Sequence, residues 1–93
     1  MPLLTQDEIK KSLSSVSGWV QEGKQIAKQF QFKDFVEALA FVNKAGAEAE
    51  KMNHHPDIFI HSWNRVKITI STHSEGGITK KDFLLAEKIE GIK

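Results

Sequence analysis

The segment "DIFIHSWNRVKITISTH", residues 57–73, decides the fold because it contains two strand-like runs separated by a very short interruption. Both runs, "DIFIHSW" and "VKITIST", are rich in β-branched and aromatic residues, which favour extended backbone. Asn64 and Arg65 lie between them and predict a two-residue turn. The segment is therefore predicted to form an antiparallel hairpin in which Trp63 lies opposite Val66.

This register brings histidines from two segments together. Counting outward from the predicted turn places His73 opposite Pro56, and therefore beside His54 and His55. Opposed Cβ atoms in an antiparallel pair are about 5 Å apart, so imidazoles at adjoining positions can meet. A bulge or a one-residue slip would change which faces meet. His61 lies in the strand outside this predicted cluster and is interpreted as a surface residue.

Helices are predicted on both sides of the hairpin. Each begins with a capping residue followed three positions later by an acidic one, and the pairs are Thr5 with Glu8, Asp34 with Glu37, and Thr79 with Asp82. In the middle helix, apolar or small residues recur at helical spacing and predict its buried face: Phe35, Leu39, Val42, Gly46, Ala49 and Met52. The first helix ends before Gly18, and the last contains "FLLAEKIEGI".

A second hairpin is predicted in "SGWVQEGKQIAKQFQF", with its turn at Gly23 and with Ile26, Phe30 and Phe32 on one face. The element order is then α-β-β-α-β-β-α. Two hairpins separated by a helix favour one four-stranded antiparallel sheet with three helices packed on one face, which is an α+β fold. The whole chain, residues 1–93, is predicted to be a single domain.

Composition excludes several classes of protein. The formal net charge is +1 and the basic residues are scattered, so direct nucleic-acid binding is disfavoured. No apolar stretch is long enough to span a membrane or serve as a signal peptide, so a soluble, cytoplasmic protein is expected. The absence of cysteine is compatible with the cytosol but does not establish it. A small domain with sheet edges and an Ala-rich helix is expected to form a homodimer or homotetramer.

The histidines allow two kinds of chemistry. Three neutral imidazoles can hold zinc and leave an open position, but adjacent His54 and His55 lack the i, i+4 spacing of helical ligand pairs. General acid and base catalysis suits imidazole, because both protonation states exist near neutral pH. From the residues alone, a functional cluster of histidines and histidines that merely lie on the surface are about equally plausible. We expect no metal.

The spacing of these residues resembles the motif of the pterin-4a-carbinolamine dehydratases. Three residues separate Glu50 from "HHP" at 54–56, six follow to Trp63, nine to His73 and eight to Asp82. The stretches "FKDFVEALAFV", "AEKMNHHP", "ITISTH" and "GGIT" extend the likeness over most of the chain.

The resemblance implies an oligomeric α+β protein that dehydrates 4a-hydroxytetrahydropterin to quinonoid dihydropterin, without metal or other cofactor. This reaction recycles the cofactor of aromatic amino acid hydroxylases. The resemblance makes His54, His55 and His73 the catalytic residues, the first two as acid and base and the third in binding or proton shuttling. The pterin substrate would contact Glu50, Pro56, Thr72, Ser74, Glu75 and Asp82.

Some alternatives stay open at this stage. The family tolerates two spacings between Pro56 and Trp63, and this chain has the longer one, which suggests a bulge in that strand. Trp19 and Phe59 could stack on a pterin, but each is interpreted as a core residue. An enzyme acting on a different pterin fits the same residues. So does a non-catalytic dimerisation cofactor, since some animal members of the family bind a transcription factor.

Overall fold

A computed structural model describes residues 2–92; Met1 and Lys93, the ends of the predicted domain, lie outside the described residues. The elements are α1 (Gln6–Leu13), β1 (Val20–Glu22), β2 (Gln25–Gln31), α2 (Phe35–Met52), β3 (Asp57–His61), β4 (Arg65–Ile70), a 3-10 turn (His73–Glu75) and α3 (Lys80–Glu90). This order confirms the predicted α-β-β-α-β-β-α arrangement and the α+β class.

One antiparallel sheet carries all four strands in the order β1-β2-β4-β3. Alternate side chains of β2 and β4, including Ile26, Phe30, Val66, Ile68 and Ile70, are buried against the helices. The three helices pack on this face, as predicted. The opposite face exposes the alternate residues, as expected for an antiparallel sheet covered on one side.

All three predicted helix starts are present. Thr5 and Glu8 exchange hydrogen bonds in a capping box, and Thr79 and Asp82 form a second one. The Asp34 carboxylate accepts from the backbone N–H of Glu37 at 2.8 Å. Each cap satisfies backbone N–H groups that a helix leaves unpaired, so local sequence fixes where the helices begin.

The predicted hairpin register is wrong by three residues. Val66 pairs with Ile60 instead of Trp63, and the turn contains three residues, Ser62 to Asn64. Ser62 and Trp63 adopt left-handed backbone with φ of 50° and 53°. The Asn64 amide nitrogen donates to the carbonyl of Phe32 at 2.9 Å, which holds this turn against the end of β2. His73 therefore does not lie opposite Pro56.

The predicted strand bulge is also wrong, because β3 and β4 pair without interruption from Asp57 to His61. This parity puts Phe59 on the open face of the sheet, 61% exposed, so its assignment to the core is wrong. Phe59 stacks on His61 with ring centroids 5.0 Å apart. Trp19 is buried, as predicted.

The buried face of α2 differs from the predicted stripe. Phe35 and Leu39 are exposed, whereas Ala49 is buried as predicted and Val42 and Met52 pack partly buried against the core. The buried residues of the helix are Ala38, Phe41, Ala45 and Ala49. The helix carries two apolar stripes, and spacing alone does not show which one packs. Three alanines in the buried stripe are small enough to let α2 approach its neighbours closely.

A partly buried ion pair ties the end of α3 to β2. The Lys28 ammonium lies 2.7 Å from the Glu90 carboxylate, which also accepts from the Trp19 indole N–H at 3.0 Å. Gly18 has a φ of 85°, and a Cβ there would lie 2.9 Å from Cε of Lys28. The close approach and the left-handed backbone together explain the glycine.

No helix within residues 2–92 is long and apolar enough to cross a bilayer.

Candidate active site

The first two histidines are positioned by the end of α2. Asn53 adopts left-handed backbone with φ of 50°, a common way for a helix to end. The backbone N–H of His54 then donates to the carbonyl of Ala49 at 3.1 Å. This reversal turns the His54 side chain inward, 8% exposed, and leaves the adjacent His55 side chain 57% exposed.

His73 is positioned by the loop that follows β4. Thr72 and Gly77 pair across this loop, with the Thr72 N–H donating to the Gly77 carbonyl at 2.8 Å. The intervening residues form a 3-10 turn that begins at His73 and closes at Gly76, where φ is 74°. The loop brings His73 to the surface between the end of β4 and the start of α3.

Asp82 lies behind His54 and is completely buried. Its carboxylate lies 2.5 Å from Nε2 of His54. It also accepts from the Thr79 backbone N–H at 2.8 Å and from the Thr72 hydroxyl at 3.1 Å. A buried carboxylate with this many donors is well satisfied, so it stabilises the fold as well as holding the histidine ring.

This contact determines which nitrogen of His54 is free. A carboxylate accepts, so Nε2 donates and Nδ1 carries the lone pair in the neutral ring. Among residues 2–92, every buried side-chain nitrogen or oxygen has a hydrogen-bond partner. Nδ1 of His54 bonds to no protein group, so it is not buried and is accessible to solvent. His54 can therefore take up a proton at Nδ1 while the Asp82 carboxylate stabilises the resulting imidazolium.

His55 has a different environment. Its Nε2 lies 3.0 Å from the Glu50 carboxylate, and both side chains are mostly exposed. Water screens such a pair strongly, so it orients the ring more than it stabilises the protein. The contact leaves the other ring nitrogen of His55 free to exchange protons.

All three histidines line one pocket of about 360 Å³. Its lining residues are Asn53, His54, His55, Ser71, Thr72, His73, Ser74 and Lys81. A larger groove of about 450 Å³ lies beside α1 but contains no histidine. We assign the site to the smaller pocket by its chemistry, since it combines imidazole rings with hydroxyl groups and the groove contains no imidazole.

The remaining predicted site residues are divided between the pocket wall and its support. Thr72 and Ser74 line the pocket, and Asp82 supports it from behind through His54. Glu50 contacts His55, whereas Pro56 and Glu75 are not part of the lining.

Sequence reasoning missed Asn53, Ser71 and Lys81, which also line the pocket. Each is the immediate neighbour of a predicted site residue in the sequence, and this adjacency is the one sequence feature that could have indicated them.

Within the part of the chain that the structure describes, no three His, Asp or Glu side chains are grouped so that they could hold a metal ion. Nε2 of His54 is already occupied by its contact with Asp82.

The α+β fold therefore carries a histidine-lined pocket that is backed by a buried carboxylate. The sequence profile of the pterin 4 alpha carbinolamine dehydratase family matches residues 2–92. The chain belongs to this family.

Relatives of the chain bear the same family name. A protein of Sulfolobus acidocaldarius is 47% identical over 90 residues, which cover 97% of this chain and 98% of the relative. A protein of Nostoc sp. is 50% identical over 90 residues, covering 97% and 96%. Both are named provisionally as pterin-4-alpha-carbinolamine dehydratases.

Solved structures agree with the fold. A protein of Brucella melitensis described as a transcriptional coactivator/pterin dehydratase superposes with a TM-score of 0.90 at 40% identity, covering 97% of both chains. A pterin dehydratase-like RuBisCO assembly factor of the alpha-carboxysome has a TM-score of 0.66 at 23% identity, covering 80% of this chain and 87% of the other. The second likeness concerns the fold alone.

Proposed function

We propose that this protein is a hydro-lyase that converts 4a-hydroxytetrahydropterin to quinonoid dihydropterin and water. The observation that carries the proposal is the buried His54–Asp82 pair, 2.5 Å apart, at the wall of a pocket that two further histidines line. Membership of the dehydratase family supports the choice of a pterin as the substrate. The physiological role would be recycling of the tetrahydropterin used by aromatic amino acid hydroxylases.

The reaction needs two proton transfers. The bond between C4a and the hydroxyl oxygen breaks, and the departing hydroxyl takes up a proton to become water. A second proton leaves a ring nitrogen, so the organic product is neutral. Hydroxide is a poor leaving group, so an acid must protonate it as it departs, and a base must receive the ring proton.

His54 is assigned as the base. Its accessible Nδ1 accepts the ring proton, and the Asp82 carboxylate beside Nε2 stabilises the positive charge that then forms. The same carboxylate keeps the ring in one orientation, because Thr72 and the start of α3 hold it in place. This division of roles resembles that of buried Asp and His pairs in other enzymes.

His55 is assigned as the acid. Its exposed ring can exchange protons with solvent, and the Glu50 carboxylate 3.0 Å from Nε2 orients it. His73, on the loop after β4, lines the same pocket and is assigned to substrate binding or proton shuttling. Ser74 supplies a hydroxyl group to the pocket wall that can orient the pterin, whereas the Thr72 hydroxyl is engaged by Asp82 and Thr79.

The protein is also proposed to form a homodimer or homotetramer. On α2, Phe35, Val36 and Leu39 are exposed, and Val36 is 75% exposed. An apolar stripe of this kind is usually covered by a partner. Replacing Val36 with Glu should weaken self-association, as measured by light scattering, while the pocket is left intact. A monomeric parent protein at micromolar concentration would contradict this proposal.

A second candidate function is a non-catalytic dimerisation cofactor. The same exposed stripe on α2 favours it, and the Brucella melitensis relative is described in part as a transcriptional coactivator. The two functions differ in what they require of the pocket. A binding module would keep its partner after replacement of the histidines, whereas a dehydratase would lose its activity.

The proposed reaction is tested by following dehydration of 4a-hydroxytetrahydropterin spectroscopically with the purified protein. Protein dialysed against a chelator should retain the full rate, since the proposed steps use only protein side chains. Restoration by zinc of a rate lost on dialysis would refute the metal-free mechanism. If zinc does not restore a rate lost on dialysis, circular dichroism will show whether the dialysed protein has unfolded.

A further inference from the structure

We propose that Lys81 is a ligand-binding residue of this pocket and that it selects pterins whose side chain carries a negative charge, such as a phosphate ester. The inference rests on the proposed function and goes further, because it specifies the substrate class. No role for Lys81 follows from the family motif quoted above, which contains its neighbour Asp82 but not Lys81 itself.

The charge of the pocket wall supports this inference. Apart from the titratable histidines, Lys81 is the one charged residue among the eight that line the pocket, and none of the eight is acidic. Asp82 is buried behind His54, and Glu50 is engaged by His55. A ligand in the pocket therefore meets a cation and several hydroxyl and amide groups, but no carboxylate at the wall.

The ammonium group of Lys81 is also without a protein partner. Within residues 2–92 the side chain takes part in no ion pair or hydrogen bond, although it is half-buried. The residues one turn further along α3, Leu84 and Leu85, are apolar and offer it no counter-charge. A half-buried cation without a carboxylate is available to a ligand.

Helix stability does not explain this lysine. Lys81 lies in the first turn of α3, where the helix dipole favours acidic residues and disfavours basic ones. Its charge therefore weakens the helix slightly. Replacement by Gln should leave the unfolding midpoint in urea unchanged or slightly raised, and once that midpoint is measured a loss of binding can be separated from unfolding.

Lys80 provides a matched control. It precedes Lys81 in the same helical turn and carries the same charge, but it is exposed and lines the groove beside α1 instead of the histidine pocket. Replacing Lys80 with Gln changes the net charge of the protein by the same amount. Only a charge acting inside the pocket would distinguish the two variants.

The experiment measures the binding of dihydroneopterin and of its monophosphate ester by isothermal titration calorimetry. These ligands differ only in the phosphate. The parent protein should bind the ester about fivefold more tightly, the size expected for one partly screened ion pair. Lys81→Gln should abolish this preference, whereas Lys81→Arg and Lys80→Gln should retain it. Added salt should reduce the preference in the parent protein.

Three results would overturn the inference. The first is equal affinity of the parent for both ligands, and the second is a preference that survives in Lys81→Gln. The third is displacement of the ester by inorganic phosphate alone at equal concentration, which would indicate a bare anion site. If the parent binds both pterins equally, the proposed dehydratase function stands and only the charge selection fails. If it binds neither, the charge selection fails, and the dehydration assay decides the dehydratase function separately.

Discussion

Replacing Asp82 with Asn is the most informative perturbation of the proposed mechanism, because it changes charge and hydrogen bonding but hardly changes shape. The Asp82 carboxylate accepts from both Nε2 of His54 and the backbone N–H of Thr79. An amide offers one oxygen in place of two. If that oxygen stays on Thr79 to cap α3, the amide NH₂ faces Nε2 of His54, and two donors oppose each other.

His54 can relieve this conflict only by moving its proton to Nδ1, which removes the lone pair that the pocket needs. A positioned acid or base typically contributes about 100- to 10,000-fold to a rate, so kcat should fall by a factor in that range. Stability should fall by about 1–3 kcal/mol, the cost of a mismatched buried donor. Stopped-flow kinetics measures kcat, and urea denaturation measures the stability. Nitrogen-15 NMR identifies the tautomer of His54.

Thr79→Ala is the control for this experiment. It removes a buried hydroxyl that caps α3 and bonds to the Thr72 hydroxyl at 2.7 Å, at a cost of about 1–3 kcal/mol, but it leaves His54 in contact with Asp82. We expect its rate to stay close to that of the parent. The reasoning is refuted if Asp82→Asn loses stability but keeps the parent kcat, because Asp82 would then serve only as a helix cap. Equal losses of rate in the two variants would refute it as well.

The remaining predictions concern the histidines and the ion pair of α3. His54→Ala and His55→Ala should each lower kcat with some activity left, and the double variant should fall well below either, as steady-state kinetics will show. His73→Ala should raise KM more than it lowers kcat. A larger effect on kcat than on KM would assign His73 to proton transfer. Glu90→Gln, which breaks the pair with Lys28, should cost about 1–3 kcal/mol in urea denaturation and leave kcat unchanged.

The fold could be predicted because most of its determinants are local. A capping residue and its acidic partner lie three positions apart, and the alternation of strand residues is visible within one run. Thr5 and Thr79 show this directly, since both capping boxes form as predicted. The element order followed from these signals.

The register of the second hairpin could not be predicted in the same way. Its three-residue turn depends on a contact between Asn64 and Phe32, which are far apart in the sequence. The buried stripe of α2 depends likewise on which neighbours the helix meets. Phe59 and Leu39 are exposed because packing partners, and not spacing, determine burial.

The candidate site was identified in spite of the register error. His73 does not reach the pocket through strand pairing; the loop closed by Thr72 and Gly77 carries it there. Lys81 and Asn53 reach the pocket through the geometry of helix ends, which a spacing rule does not describe.

The most direct test of the central claim compares the parent protein with the His54→Ala/His55→Ala double variant in stopped-flow dehydration of 4a-hydroxytetrahydropterin. Circular dichroism establishes that both are folded. We predict clear acceleration over buffer by the parent and a loss of most of it in the double variant. Dehydration by the parent at the rate of buffer alone, or by the folded double variant at the rate of the parent, would contradict the assignment of this pocket as a dehydratase active site.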